Sequence, residues 1–222
     1  MKARRSLLAV LAAVAVSVCS AQDSGSKFAS ADTTYRYLTE IGRIRAQVNT
    51  DNRETIPALL QGQDPAALRD QAKKLEGYKQ ALDGIDPTDV DSEAVQFKSN
   101  FSLIVDAYKS ICVDSAEVYK QVAAADAKPG ASPMLHAKDA KLELMLNDTL
   151  GAVDSLLAVI EQVDSSSSAA RAALQPTVDK LHADEDRLRK AKDVHHDFTQ
   201  KIKGEFTDRY QGTDWSNKDI LP

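Results

Sequence analysis

Histidine and carboxylate residues concentrate late in the chain: Asp179, His182, Asp184, Glu185 and Asp186, then Asp193, His195, His196 and Asp197. Asp179 and His182, and again Asp193 and His196, stand at i,i+3. On a helix that spacing offers a carboxylate oxygen and an imidazole nitrogen from one face, the donor chemistry of a transition-metal site. The candidate metal ligands are therefore Asp179, His182, Asp186, Asp193, His195 and His196. The two pairs are 14 residues apart, about 21 Å along one helix, so they do not share a site. Bundles that hold two metals draw such pairs from facing helices instead. The same residues also read as the charged outer face of a helix, and that reading is the expectation, with no metal and no cofactor.

His195 is different in kind. It falls within the apolar stripe Val178, Leu181, Leu188, His195, Phe198, Ile202 and Phe206, where an imidazole is a satisfied core or boundary residue, a ligand, or a group sensitive to pH. Covalent haem is excluded by the absence of Cys-x-x-Cys-His. Cys112 sits in the apolar run Tyr108-Lys109-Ser110-Ile111-Cys112-Val113 with no His nearby and is expected to pack in the core rather than react. The acidic stretch Asp86 to Glu93 lacks the central Gly and the twelfth-position Glu of a calcium loop, whereas a turn at Pro87 and an N-cap at Asp89 or Asp91 account for it. No serine-hydrolase elbow, zinc-protease motif, phosphate loop or dinucleotide fingerprint occurs. No catalytic residue is assigned, and a non-catalytic protein is expected.

The elements that must position these residues all read as helices. From about Asp91 to Ala125, the residues Ala94, Phe97, Phe101, Ile104, Tyr108, Ile111, Ser115, Val118, Val122 and Ala125 recur at 3,4 spacing, a heptad-like seam on a rod of roughly 50 Å. Lys128-Pro129-Gly130 ends that helix and Ser132-Pro133 starts another, with Leu135, Leu142, Leu146, Thr149, Val153, Leu156, Ile160 and Val163 on its apolar face. The short turn predicts an antiparallel hairpin of the two. Asp164 to Ser168 interrupts, and a third long helix is expected after Pro176. Upstream, Tyr37, Ile41, Ile44 and Val48 mark one shorter helix; Asp64-Pro65 caps another with Leu68, Leu75, Leu82 and Ile85 inward. Pro57 predicts a break or a single helical turn between them. The fold class is all-α: an elongated antiparallel up-and-down bundle of about five helices, three of them long with heptad-like seams.

Lys2, Arg4 and Arg5 precede the apolar run Leu7 to Val16 and the small-residue exit Ser17 to Gln22, the pattern of an export signal and too short to span a membrane. The chain divides into an export signal at 1–21, a polar linker at 22–30, a helical bundle at 31–210 and a tail at 211–222. Cleavage after Ala21 gives a soluble periplasmic or secreted protein; a degenerate lipobox ending at Cys19 gives an envelope-anchored lipoprotein through lipidation of Cys19. Removing residues 1–21 takes away three of the 28 basic residues and none of the 33 acidic ones. The resulting acidic surface, together with export, excludes nucleic acid as a partner and leaves the lipid anchor as the only route to a membrane. With Cys19 removed or lipidated, Cys112 has no internal disulfide partner. The expected function is protein–protein interaction or self-association through long helical surfaces, as an adaptor, scaffold or chaperone-like factor. The alternative is a small-molecule or metal-binding bundle with its pocket near His195.

Overall fold

The computed structural model describes residues 31–126, 148–161 and 168–209. Residues 1–30 with Cys19 and the expected export signal, the expected turn at Pro129–Pro133, Leu135 to Leu146 and residues 210–222 lie outside the described residues. Among the described residues all regular structure is helical: α1 (Ala31–Thr50), a π-helical turn (Asp51–Thr55), α2 (Ile56–Gly62), α3 (Pro65–Asp83), α4 (Ser92–Asp126), α5 (Thr149–Glu161) and α6 (Ser168–Arg209). The all-α bundle is thus observed, and no helix among the described residues is long and apolar enough to cross a membrane.

The starts of α3 and α4 follow from single side chains. Asp64 Oδ1 accepts from the N–H groups of Ala66 and Ala67, ahead of Pro65 in the first turn of α3. Asp86 Oδ1 accepts from the N–H and hydroxyl of Thr88, forming the turn, and Asp91 Oδ1 accepts from Glu93 N–H to cap α4. Each cap satisfies donors that the helix cannot satisfy internally. Asp86 and Asp91 thus serve as turn and cap, the roles expected of that stretch from its sequence.

α4 is the central rod. Its seam from Ala94 to Val122 is buried, and so are Val105, Ala107, Cys112, Ala116 and Tyr119 beside it. The buried band is wider than one seam because α3 packs along one side of α4 and α6 along another, the two most extensive interfaces in the molecule. The expected pairing with α4 is corrected for the described part of α5 alone, since the connecting turn and Leu135 to Leu146 lie outside the described residues. The described part of α5 buries Ala152, Val153, Leu156, Leu157 and Ile160, and its main neighbours are α2 and α6. The apolar face of α4 is already covered, so α5 finds its cover elsewhere.

Two predicted breaks are also corrected. α6 does not wait for Pro176 but runs through it, with Leu174 and Val178 buried on either side. Burial of that flanking apolar surface outweighs the one backbone bond a proline removes. Pro57 likewise lies inside continuous helix. The N–H of Ile56 reaches back five residues to Asp51 O, the i→i−5 pattern of a π turn. Pro57 has no N–H to give, so the Asn52 carbonyl is spare, and Thr149 Oγ1 donates to it at 3.0 Å. Thr149 N–H donates to Asn52 Oδ1 at 3.2 Å. A proline in the sequence thus becomes the joint that ties α5 to the π turn.

Candidate functional site: a cationic pocket between α1 and α6

α1 and α6 both lean on α4 but scarcely touch each other. The gap between them is a cavity of about 620 Å³, within the range of roughly 300–1,000 Å³ typical of small-molecule sites. Three helical stripes form its walls. Arg45 and Asn49 come from α1, with Asn52 and Arg53 following from the π turn; Phe101, Ile104 and Tyr108 come from α4; Lys192, His195, His196, Thr199 and Gln200 come from α6. Asp148, at the start of α5, completes it. Spacings of three and four within each stripe put these side chains on one face of each helix.

The charge of the lining opposes that of the chain. Among the described lining residues three cations, Arg45, Arg53 and Lys192, face one carboxylate in a protein with an excess of acidic residues. That carboxylate is engaged: Lys192 Nζ donates to Asp148 Oδ2 at 2.9 Å and Gly151 N–H to Oδ1 at 3.2 Å. Burial pushes the Asp148 carboxyl up, but Lys192 and the backbone donors more than offset it and hold it below the ordinary range. Burial raises the Tyr108 phenol, with the Asp148 charge adding to it, so the hydroxyl stays protonated. Arg45 is only 5% exposed, a rare degree of burial for a guanidinium.

His195 is the least conventional residue in the molecule. It is 7% exposed, with its ring 4.7 Å from that of Phe97 and 5.7 Å from that of Phe101. Neither Nδ1 nor Nε2 has a hydrogen-bond partner among the described residues. An unsatisfied buried polar group costs about 1–3 kcal/mol, so it calls for an explanation. Burial, then the nearby Arg45 charge and then His196 push its pKa down to about 4. The imidazole is neutral at pH 7 and senses a positive field.

The remaining metal candidates are spread apart. Asp179 accepts from Gln175 at 2.7 Å, His182 stands 3.9 Å from Glu185, and Asp186 and Asp193 are exposed. His195 and His196 alone of the six line the pocket. Among the described residues no group of three or more His, Cys, Asp or Glu side chains has an arrangement that could hold a metal ion. Cys112 is fully buried and unpaired, and burial pushes its thiol up to about 12, so it packs as an apolar residue.

Arg45, Asn49, Asn52, Arg53 and Tyr108 were not legible as site residues in the sequence. One signal pointed to Arg45: it lies four residues after Ile41 and three before Val48, a charged residue on an apolar stripe. Asn52 carried no such mark, because it is buried by the π turn that Pro57 accompanies. Set beside known protein families, characterised proteins and solved structures, the chain matches none.

Proposed function

We propose that this protein is an exported, non-catalytic helical bundle that binds a small organic molecule in the gap between α1 and α6. The observation that carries the proposal is His195: a nine-tenths buried imidazole without a hydrogen-bond partner among the described residues, on the wall of a cavity large enough for a ligand. Proteins seldom leave such a group unsatisfied, and a ligand in the adjoining cavity would satisfy it. Export, with either a soluble product or a Cys19 lipid anchor, belongs to the same proposal and rests on the first 22 residues. The scaffold alternative has less support. It drew on a seam left open for another chain, and the seam of α4 is filled from within by α3 and α6. The large apolar side chains exposed among the described residues are Leu103 and Val113 on α4 and Val194 on α6.

The test is to denature protein purified from its native cells and identify what is released by mass spectrometry, beside a Gln200→Trp variant that fills the exposed rim of the cavity. A small molecule released in near-stoichiometric amount by the parent and not by the variant is the expected outcome. If nothing is released, and no member of a diverse compound library raises the parent's melting temperature, the small-molecule reading fails.

A further inference from the structure

We infer that the pocket selects an organic anion, a compound carrying a carboxylate or phosphate group on an apolar or aromatic body. The inference rests on the small-molecule reading above and adds the chemical class of the ligand.

The first ground is what the lining still has to offer once its internal bonds are counted. Asn52 Oδ1 and its backbone carbonyl are both engaged by Thr149, so the polar function left to its side chain is the NH2 group, a donor. Thr199 Oγ1 donates to the carbonyl of His195 at 2.7 Å. Asp148, the one acidic acceptor on the wall, is taken by Lys192 and Gly151. Guanidinium groups have no acceptor at all, and the exposed Arg53 brings one to the rim. Asn49, Tyr108, Thr199 and Gln200 still carry acceptor oxygens, so the bias toward an acceptor-rich ligand comes from the cationic groups and from the engagement of Asp148 and the Asn52 oxygens.

The second ground is the field. Three cations against one carboxylate make the pocket a local reversal of an acidic molecule, and its low-dielectric walls focus that potential on whatever enters. A cationic ligand meets repulsion there from the cationic side chains of the wall. The third ground is the floor. Phe101, Ile104 and Tyr108 supply an apolar and aromatic surface, which a bare inorganic anion leaves unused and an apolar body covers. The imidazole of His195 lies on the wall, packed against Phe97 and Phe101. In its neutral form it has one donor and one acceptor to give, without adding charge.

The inference is tested on the full-length mature protein by calorimetry and thermal shift with four probes of similar shape: benzoate, phenyl phosphate, benzamide and benzylammonium. At least one of the two anions should bind about tenfold more tightly than benzamide, with benzylammonium weakest, and the anion affinity should fall as salt is raised. The stronger of benzoate and phenyl phosphate identifies which anionic group the site takes. Arg53 is exposed, so Arg53→Glu should keep the fold while cutting anion affinity about tenfold and leaving benzamide unchanged. Binding of benzamide or benzylammonium as tight as that of the anions, or release of a neutral or cationic native ligand, overturns the anion assignment and leaves the small-molecule reading standing. Absence of any binding together with absence of any released compound brings down both.

Discussion

About three turns apart on α6, two sets of ionisable side chains are buried, and each is driven toward its neutral form with a different structural outcome. At the earlier level Asp184 and Glu185 are both less than a tenth exposed. Burial first, then the hydrogen bond with Asp114, raises Asp184 to about 7 against the pull of Arg187; burial first, then Asp154, raises Glu185 against Arg189. Each acid is nonetheless held. Arg187 lies 3.0 Å from Asp184 Oδ1, and Arg189 reaches Glu185 at 2.7 Å and Asp154 at 2.8 Å. At the later level His195 is pushed down, and neither ring nitrogen has a hydrogen-bond partner among the described residues. The same desolvation acts on both, with opposite sign for acid and base. The difference lies in satisfaction: the carboxyl level bonds α6 to α4 and α5, whereas the imidazole level keeps its hydrogen-bonding capacity unused beside a cavity. The first arrangement is what a structural joint requires, and the second is what a binding site requires.

The largest effect expected at the pocket level comes from Phe97→Ala, which removes a fully buried ring stacked beside His195. It should destabilise the protein by about 3–5 kcal/mol in denaturant melts. A neutral result would mean that the imidazole is not held by aromatic packing, and the contrast between the two levels would lose its physical basis.

Stability against pH separates the levels by sign. The folded pKa of His195 lies below its unfolded value, so its contribution is present above about pH 6.5 and is lost as pH falls to about 4, a loss of order 3 kcal/mol. Asp184 has a raised folded pKa, so its contribution is present below about pH 4 and is lost as pH rises through 7, with a similar magnitude. The two oppose each other across the same window. Relative to the parent, His195→Leu should gain stability as pH falls from 6.5 to 4, and Asp184→Asn should lose it. Slopes of the same sign in the two variants would contradict the comparison.

At constant pH 8 a smaller test remains. His195→Leu removes two unsatisfied nitrogens without enlarging the side chain much, and should be neutral to stabilising by about 1 kcal/mol while weakening ligand binding. A loss of stability there would show that the imidazole has a partner and is structural. Smallest is Arg187→Ala, which deletes a half-exposed guanidinium from the carboxyl level. It should cost no more than about 1 kcal/mol, because solvent screens the pair.

Much of the bundle was legible before any fold was known, as particular residues show. The seam of α4, the inward Leu68, Leu75 and Leu82 of α3, the cap at Asp64 and the turn before Asp91 all depend on residues within one or two turns of each other. Helix periodicity and capping are local physics, so a linear sequence displays them. His195 was visible for the same reason, as an imidazole on an apolar stripe. The hairpin of α4 with α5 was misread because turn length and seam pattern say that a helix needs cover, not which helix supplies it.

What the sequence by itself determined is therefore the helical class, the burial of His195 and the inert core setting of Cys112, each set by neighbours three and four residues away. Only the tertiary structure decided that Arg45, Arg53, Tyr108, Lys192 and His195 share one cavity, since their meeting depends on how α1 and α6 are spaced across α4. It also decided that Pro57 accompanies a π turn rather than a break, because the carbonyl spared at Asn52 finds its donor in Thr149, 97 residues along the chain. Long-range satisfaction of a backbone group leaves no periodic trace in a sequence.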